Sequence, residues 1–117
     1  MEERRHFTRV QFMGPALLWQ GQRQWSTRVL DLSLHGILLA RPEGMTVALN
    51  QPMTVHVPLS DTITIKMQAE ILRINAQSLG LVWNNINVDS LIHLRRLIEL
   101  HSPSSIDKEL EELWMEI

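Results

Sequence analysis

The chain has 117 residues, 44 % hydrophobic and 21 % charged, with a formal net charge of -2. That length suits one compact domain with its own core and is too short for two. The lack of cysteine excludes a disulfide framework and thiolate metal sites, and no apolar run approaches the roughly 20 residues of a bilayer span. A charged N-terminus with no apolar stretch behind it is not a secretory leader, so a cytoplasmic protein without membrane insertion is expected.

The first residues, MEERRHFTRVQF, place Arg4, Arg5 and Arg9 at the front of an acidic chain. Residues 1–12 are expected to form a flexible basic arm, residues 13–88 a β domain and residues 89–117 C-terminal helices, all within a single domain. Charge is unevenly spread: residues 1–28 hold five arginines against two glutamates, and residues 107–117 hold five acids against Lys108. A basic front and an acidic tail can attract each other, or the front can bind an anion.

After the arm, two apolar stretches flank Gln20-Gly21-Gln22 and predict a hairpin. Leu30, Leu32 and Leu34 then alternate with Asp31, Ser33 and His35, the period of a strand. If the leucines face the core, Asp31 and Ser33 share the opposite face. Gly36 interrupts, and ILLA resumes as a further strand before the turn-rich RPEG. MTVHVPL alternates again and is ended, or confined to an edge, by Pro58. TITIKMQAEI is the clearest strand, with Ile63, Ile65, Met67, Ala69 and Ile71 on one face. Its alternation slips at Ile71-Leu72, which predicts a bulge that turns Leu72 and Ile74 inward and Arg73 outward. SLGLVW supplies a last strand. Asp89 or Ser90 can cap a helix with Leu91, Leu94, Leu97 and Ile98 on its apolar face. Ser102-Pro103 breaks it, and a second helix can carry Ile106, Leu110, Leu113, Trp114 and Ile117 on one side. Strands followed by helices, without βαβ alternation, predict an antiparallel barrel.

Nothing here assembles an active site. The chain lacks a Gly-x-Ser-x-Gly elbow, a phosphate loop and a cysteine nucleophile. Its histidines, His6, His35, His56, His93 and His101, never stand four apart as paired metal ligands on a helix would. Neither catalysis nor a metal or cofactor is expected. The arginines point elsewhere. Each offers a planar fork of donors that fits phosphate oxygens and the O6/N7 edge of guanine, and its flat face can lie on a purine. A carboxylate such as Asp31 can accept from guanine N1-H and its amine, and the Ser33 hydroxyl can donate to a ligand oxygen. Gly36, with no Cβ, lets a ligand approach or adopts positive φ. The same three residues also suit an ordinary turn.

Taken together, the two segments are specific. Arg-x-x-x-Arg at Arg5 and Arg9, followed by Asp-x-Ser-x-x-Gly at Asp31, Ser33 and Gly36, resembles the signature of PilZ domains. LGLVW and DSLIHLRRLIEL extend the likeness over nearly the whole chain. The resemblance implies a mainly β protein, a six-stranded antiparallel PilZ barrel with C-terminal α-helices, that receives the bacterial second messenger cyclic di-GMP. It assigns Arg5 and Arg9 to the phosphates and guanine edges of the ligand, and Asp31, Ser33 and Gly36 to the barrel side. An arginine at the position of Arg4 goes, in related proteins, with two intercalated cyclic di-GMP molecules. Arg73 falls where relatives can carry a ligand-stacking tryptophan. Binding would change conformation and surface charge and so signal to an unidentified downstream protein. The alternative is a PilZ-fold interaction module that acts irrespective of nucleotide. DNA or RNA binding is not expected in a chain without an extended basic face, and no heptad or large apolar surface predicts an oligomer, so a monomer is expected.

Overall fold

A computed structural model describes residues 12–46 and 51–101. The arm residues Arg4, Arg5 and Arg9 and the second helix expected beyond Pro103 lie outside them. Six strands follow one another: β1 (Gly14–Gln20), β2 (Arg23–Leu32), β3 (Gly36–Ala40), β4 (Pro52–Pro58), β5 (Thr64–Ile74) and β6 (Ser78–Ile86), with α1 (Val88–His101) after them. They close into a barrel in the order β1-β2-β3-β6-β5-β4, every neighbouring pair antiparallel.

Local chemistry sets the connections. The β1–β2 hairpin turns through Gly21-Gln22, with Gly21 at φ 63°, the left-handed backbone that two-residue hairpin turns require. Pro58 is the last residue of β4, opposite Thr64, where its missing N–H interrupts no further pairing. Inside the barrel, Leu18, Leu39, Val55, Ile65, Ile71 and Leu79 are fully buried. Each such side chain contributes about 1.5–3 kcal/mol by leaving water.

Bulges decide which residues reach that core. In β2 the pairing steps from Val29↔Leu39 to Asp31↔Leu38, leaving Leu30 as an extra residue. Val29, Leu32 and Leu34 are therefore buried and Leu30 is not, which corrects the expected Leu30/Leu32/Leu34 face. In β5 the pairing steps from Ile71↔Leu81 to Arg73↔Gly80, so the bulge falls where the slip in alternation predicts it. Its extra residue, Leu72, does not turn inward: it is 54 % exposed, while Ile74 packs on the core and Arg73 is exposed.

Helix α1 covers the barrel with Leu94 and Ile98, both buried, flanked by the half-buried Leu91 and Leu97. Its cap is Asn87 rather than Asp89 or Ser90: Asn87 Oδ1 accepts a hydrogen bond from the Ser90 N–H at 2.7 Å. Ser90 is instead buried, and its hydroxyl accepts from the Lys66 N–H of β5 at 2.9 Å. That bond ties the first turn of the helix to the sheet.

Candidate functional site

The turn from β2 to β3 is built by the motif residues. The Ser33 N–H donates to the Gly36 carbonyl at 3.0 Å, and the Ser33 hydroxyl oxygen accepts from the Gly36 N–H at 3.0 Å and the His35 N–H at 3.3 Å. A serine hydroxyl replacing a backbone acceptor is a common way to tighten such a turn. Ser33 is accordingly buried, at the end of β2 rather than within its exposed face, so its hydroxyl is engaged by the turn. Gly36 does not need positive φ. Its requirement is clearance: a Cβ there would stand 2.7 Å from the Leu81 carbonyl oxygen of β6.

Trp83 holds the turn from below. Its indole Nε1–H donates to the Leu34 carbonyl at 2.7 Å, its backbone N–H donates to the His35 carbonyl at 3.2 Å, and its ring meets the His35 ring edge-on with centroids 6.0 Å apart. Leu34 points into the core and is fully buried. The turn is thus fixed at both ends and in the middle.

Asp31 begins a row across the outer surface. It pairs with Leu38 of β3, Leu38 with Gly80 of β6, and Gly80 with Arg73 of β5. Directly paired residues share a face, and Leu38 and Gly80 each stand between buried neighbours. The row therefore runs carboxylate, apolar side chain, bare backbone, guanidinium. Three strand spacings of about 4.8 Å put the backbones at its two ends about 14 Å apart along the sheet. Gly80 makes a low point, with only the Arg73 Cβ, at 3.6 Å, near where its own Cβ would be. An anion or a planar ring laid on this row would meet donors at one end, acceptors at the other and an apolar floor between. The structure thus places Asp31 and Arg73 on one face and puts Ser33 and Gly36 in the adjoining turn. Leu38, Gly80 and Trp83 are the parts that sequence reading missed. Only Trp83 carried a signal, since the N–H of an indole packed against a core almost always finds an acceptor.

Phe12, where the described chain begins, packs on the core, its ring against Gly14, where a Cβ would come within 2.8 Å. Gly14 opposes Val29, two residues before Asp31. Among the described residues there is no cluster of His, Cys, Asp and Glu able to hold a metal ion, and no helix is long and apolar enough to cross a membrane.

A model of the PilZ domain family matches residues 3–100. The chain belongs to the PilZ domain family. Among solved structures it is similar to the Bacillus subtilis inhibitor of motility MotI/DgrA, at 16 % identity and a TM-score of 0.70 over 84 % of this chain. It spans about half, 53 %, of that relative's chain. It is also similar to the PilZ domain of CeSA from a cellulose-synthesizing bacterium, at 18 % identity and a TM-score of 0.64 over 77 % of this chain and 93 % of the other. The PilZ domain of Escherichia coli YcgR, solved with c-di-GMP, gives 15 % identity and a TM-score of 0.69 over 98 % of this chain and 100 % of the other. At these identities the likeness is one of fold: a six-stranded antiparallel closed barrel followed by a helix.

Proposed function

We propose that this protein is a receptor for cyclic di-GMP that acts by binding, without making or breaking a bond. Arg5 and Arg9 clasp the phosphates and guanine edges, Asp31 accepts from a guanine, and Arg73 stacks on or pairs with the ligand across the Leu38–Gly80 floor. Arg4, just before the motif, supports a pair of intercalated ligand molecules. Ligand neutralises the arm and draws it against the barrel, and the altered surface is what a downstream protein reads. The observation that carries this reading is positional. β1 starts opposite Val29, beside Asp31, and Arg9 is only three residues before Phe12, so chain connectivity keeps its Cα within about 11 Å of the Phe12 Cα. Membership of the PilZ family and the c-di-GMP in the YcgR structure supply the ligand class.

A second reading has a specific observation in its favour. Ser33 and Gly36 both have a role in the fold itself, Ser33 in the turn and Gly36 against Leu81, so a PilZ-fold interaction module that never met nucleotide would keep them. The distinction therefore rests on Arg5, Arg9 and Asp31. Isothermal titration of cyclic di-GMP into the protein, beside Arg5→Ala and Asp31→Ala, separates the two. Two nucleotides per chain, lost in both variants, establish the receptor and the ligand pair. One per chain keeps the receptor and removes the pair. No binding by folded protein brings the interaction module forward.

A further inference from the structure

Outside the proposed ligand set, Trp83 reaches the turn on which that set depends through its indole N–H, its backbone N–H and its ring. It stands near the end of β6, opposite the buried Ala69 of β5, and packs against the core. From there its indole N–H and its own backbone N–H reach two successive carbonyls of the turn, Leu34 and His35. These are the carbonyls of the two residues lying between Ser33 and Gly36. Trp83 is 49 residues from Leu34 in sequence, so the bond is a tie from the neighbouring strand β6 rather than part of the turn's local chemistry. Ser33 alone can close a turn in several arrangements, because a hydroxyl rotor adapts to its donors. A rigid indole rooted in the core cannot, and it selects one.

We propose that Trp83 is a positioning residue for the nucleotide site. Without touching ligand, it holds the 33–36 turn, and through it the end of β2 that carries Asp31, in the conformation that ligand requires. This rests on the receptor reading above. The physical consequence is specific. If only a fraction of molecules holds the competent turn, apparent affinity falls by that fraction. The loss then appears in association, because a complex once formed makes the same contacts and dissociates at the same rate.

The test uses the full chain and Trp83→Phe, which keeps an aromatic ring in the core and removes the donor. Cyclic di-GMP binding is followed by titration and by stopped flow. The expected result is affinity about tenfold weaker, the scale of one lost hydrogen bond, with stoichiometry and dissociation rate unchanged and association slowed by the same factor. In parallel, hydrogen exchange without ligand should speed up at the amides of residues 33–36 while those of Met67 and Ala69 in β5 keep wild-type protection. In the unaltered protein, the Trp83 indole proton should open with the same free energy as the Gly36 amide. Unchanged affinity in Trp83→Phe, or a loss carried entirely by faster dissociation, overturns the proposal. So does exchange at residues 33–36 that ignores the substitution. Wild-type protein that binds no cyclic di-GMP overturns the receptor reading and with it the effect on affinity, and the exchange data then decide the turn lock by themselves.

Discussion

Gly36 passes Leu81 so closely that a Cβ on the glycine would stand 2.7 Å from the Leu81 carbonyl oxygen. The obstacle is backbone of a neighbouring strand, which cannot swing aside as a side-chain tip can. Gly36→Ala should therefore force β3 and β6 apart at Gly36↔Val82, costing about 1–3 kcal/mol as overpacking does. At Gly80 a new Cβ would meet only the Arg73 Cβ at an ordinary 3.6 Å. Gly80→Ala should leave stability within about 0.5 kcal/mol of wild type while raising the floor of the proposed site and weakening nucleotide binding. Urea denaturation of the two variants, with titration of each, checks the contrast. A Gly36→Ala midpoint equal to wild type would refute the steric account.

Ser33→Ala removes an oxygen that two backbone N–H groups share, those of His35 and Gly36. With the site buried, the loss should cost about 1–3 kcal/mol of stability whether or not nucleotide is present. A thermal melt of ligand-free protein measures it. Loss of nucleotide affinity in this variant, unaccompanied by a lower melting temperature, would instead mean that the hydroxyl serves the ligand directly.

Arg73 is exposed, and its removal should leave the fold untouched. Arg73→Ala is expected to melt as wild type does and to bind cyclic di-GMP about tenfold more weakly or worse, as loss of a charged contact implies. Arg73→Lys keeps the charge and loses the flat guanidinium, so it distinguishes stacking from simple attraction. Affinity restored fully by lysine would rule out stacking.

His56 gives the molecule a pH dependence on the opposite side of the barrel. Its ring lies against Trp19, centroids 4.5 Å apart, and it pairs with Lys66 across β4 and β5. Burial first, and the Lys66 charge second, hold its pKa below the ordinary 6.5. The unfolded chain therefore takes up this proton more readily than the folded one. The stabilising contribution is complete above pH 6.5 and is lost as pH falls toward the depressed folded value. His56→Gln should flatten stability against pH below 6.5, and Lys66→Gln should flatten it only in part, since burial is the larger cause. Denaturation midpoints through that range, with the His56 ring followed by NMR, test both; a steeper slope in His56→Gln would contradict the sign.

Much of the barrel is legible in its sequence because alternation is a local property. Ile65, Met67, Ala69 and Ile71 read inward and are inward. The bulges are harder, since a bulge is a count of two residues against one on another strand. The slip at Ile71-Leu72 is visible within β5, yet which residue is expelled depends on β6, and Leu72 goes out despite its apolar side chain. In β2 nothing local marks Leu30 as extra. The helix shows the same limit: Ser90 looks like a cap, but its hydroxyl serves Lys66 of β5, and Asn87, three positions earlier, caps instead. In the candidate site, residue types and spacing point to Asp31, Ser33 and Gly36, but the division of labour among them does not show. A turn role for Ser33 and Gly36 is readable locally, but the clearance that Gly36 must leave and the tie from Trp83 become evident only when β6 comes alongside.

The ring of strands also constrains who can listen. β1 and β4 close the circle through Leu17, Leu18 and Trp19, so each described strand has a neighbour on both sides. Unpaired margin is confined to overhanging ends such as residues 23–28 of β2, which pair with β1 alone. Recognition by adding a strand, in which a partner's main chain continues a sheet, needs such a margin. On the proposed reading, a downstream partner would instead read mainly side chains, such as the Asp31–Arg73 row or the outer face of α1. Substituting surface residues should therefore abolish a conversation that backbone mimicry, such as an extended peptide offered as competitor, leaves undisturbed.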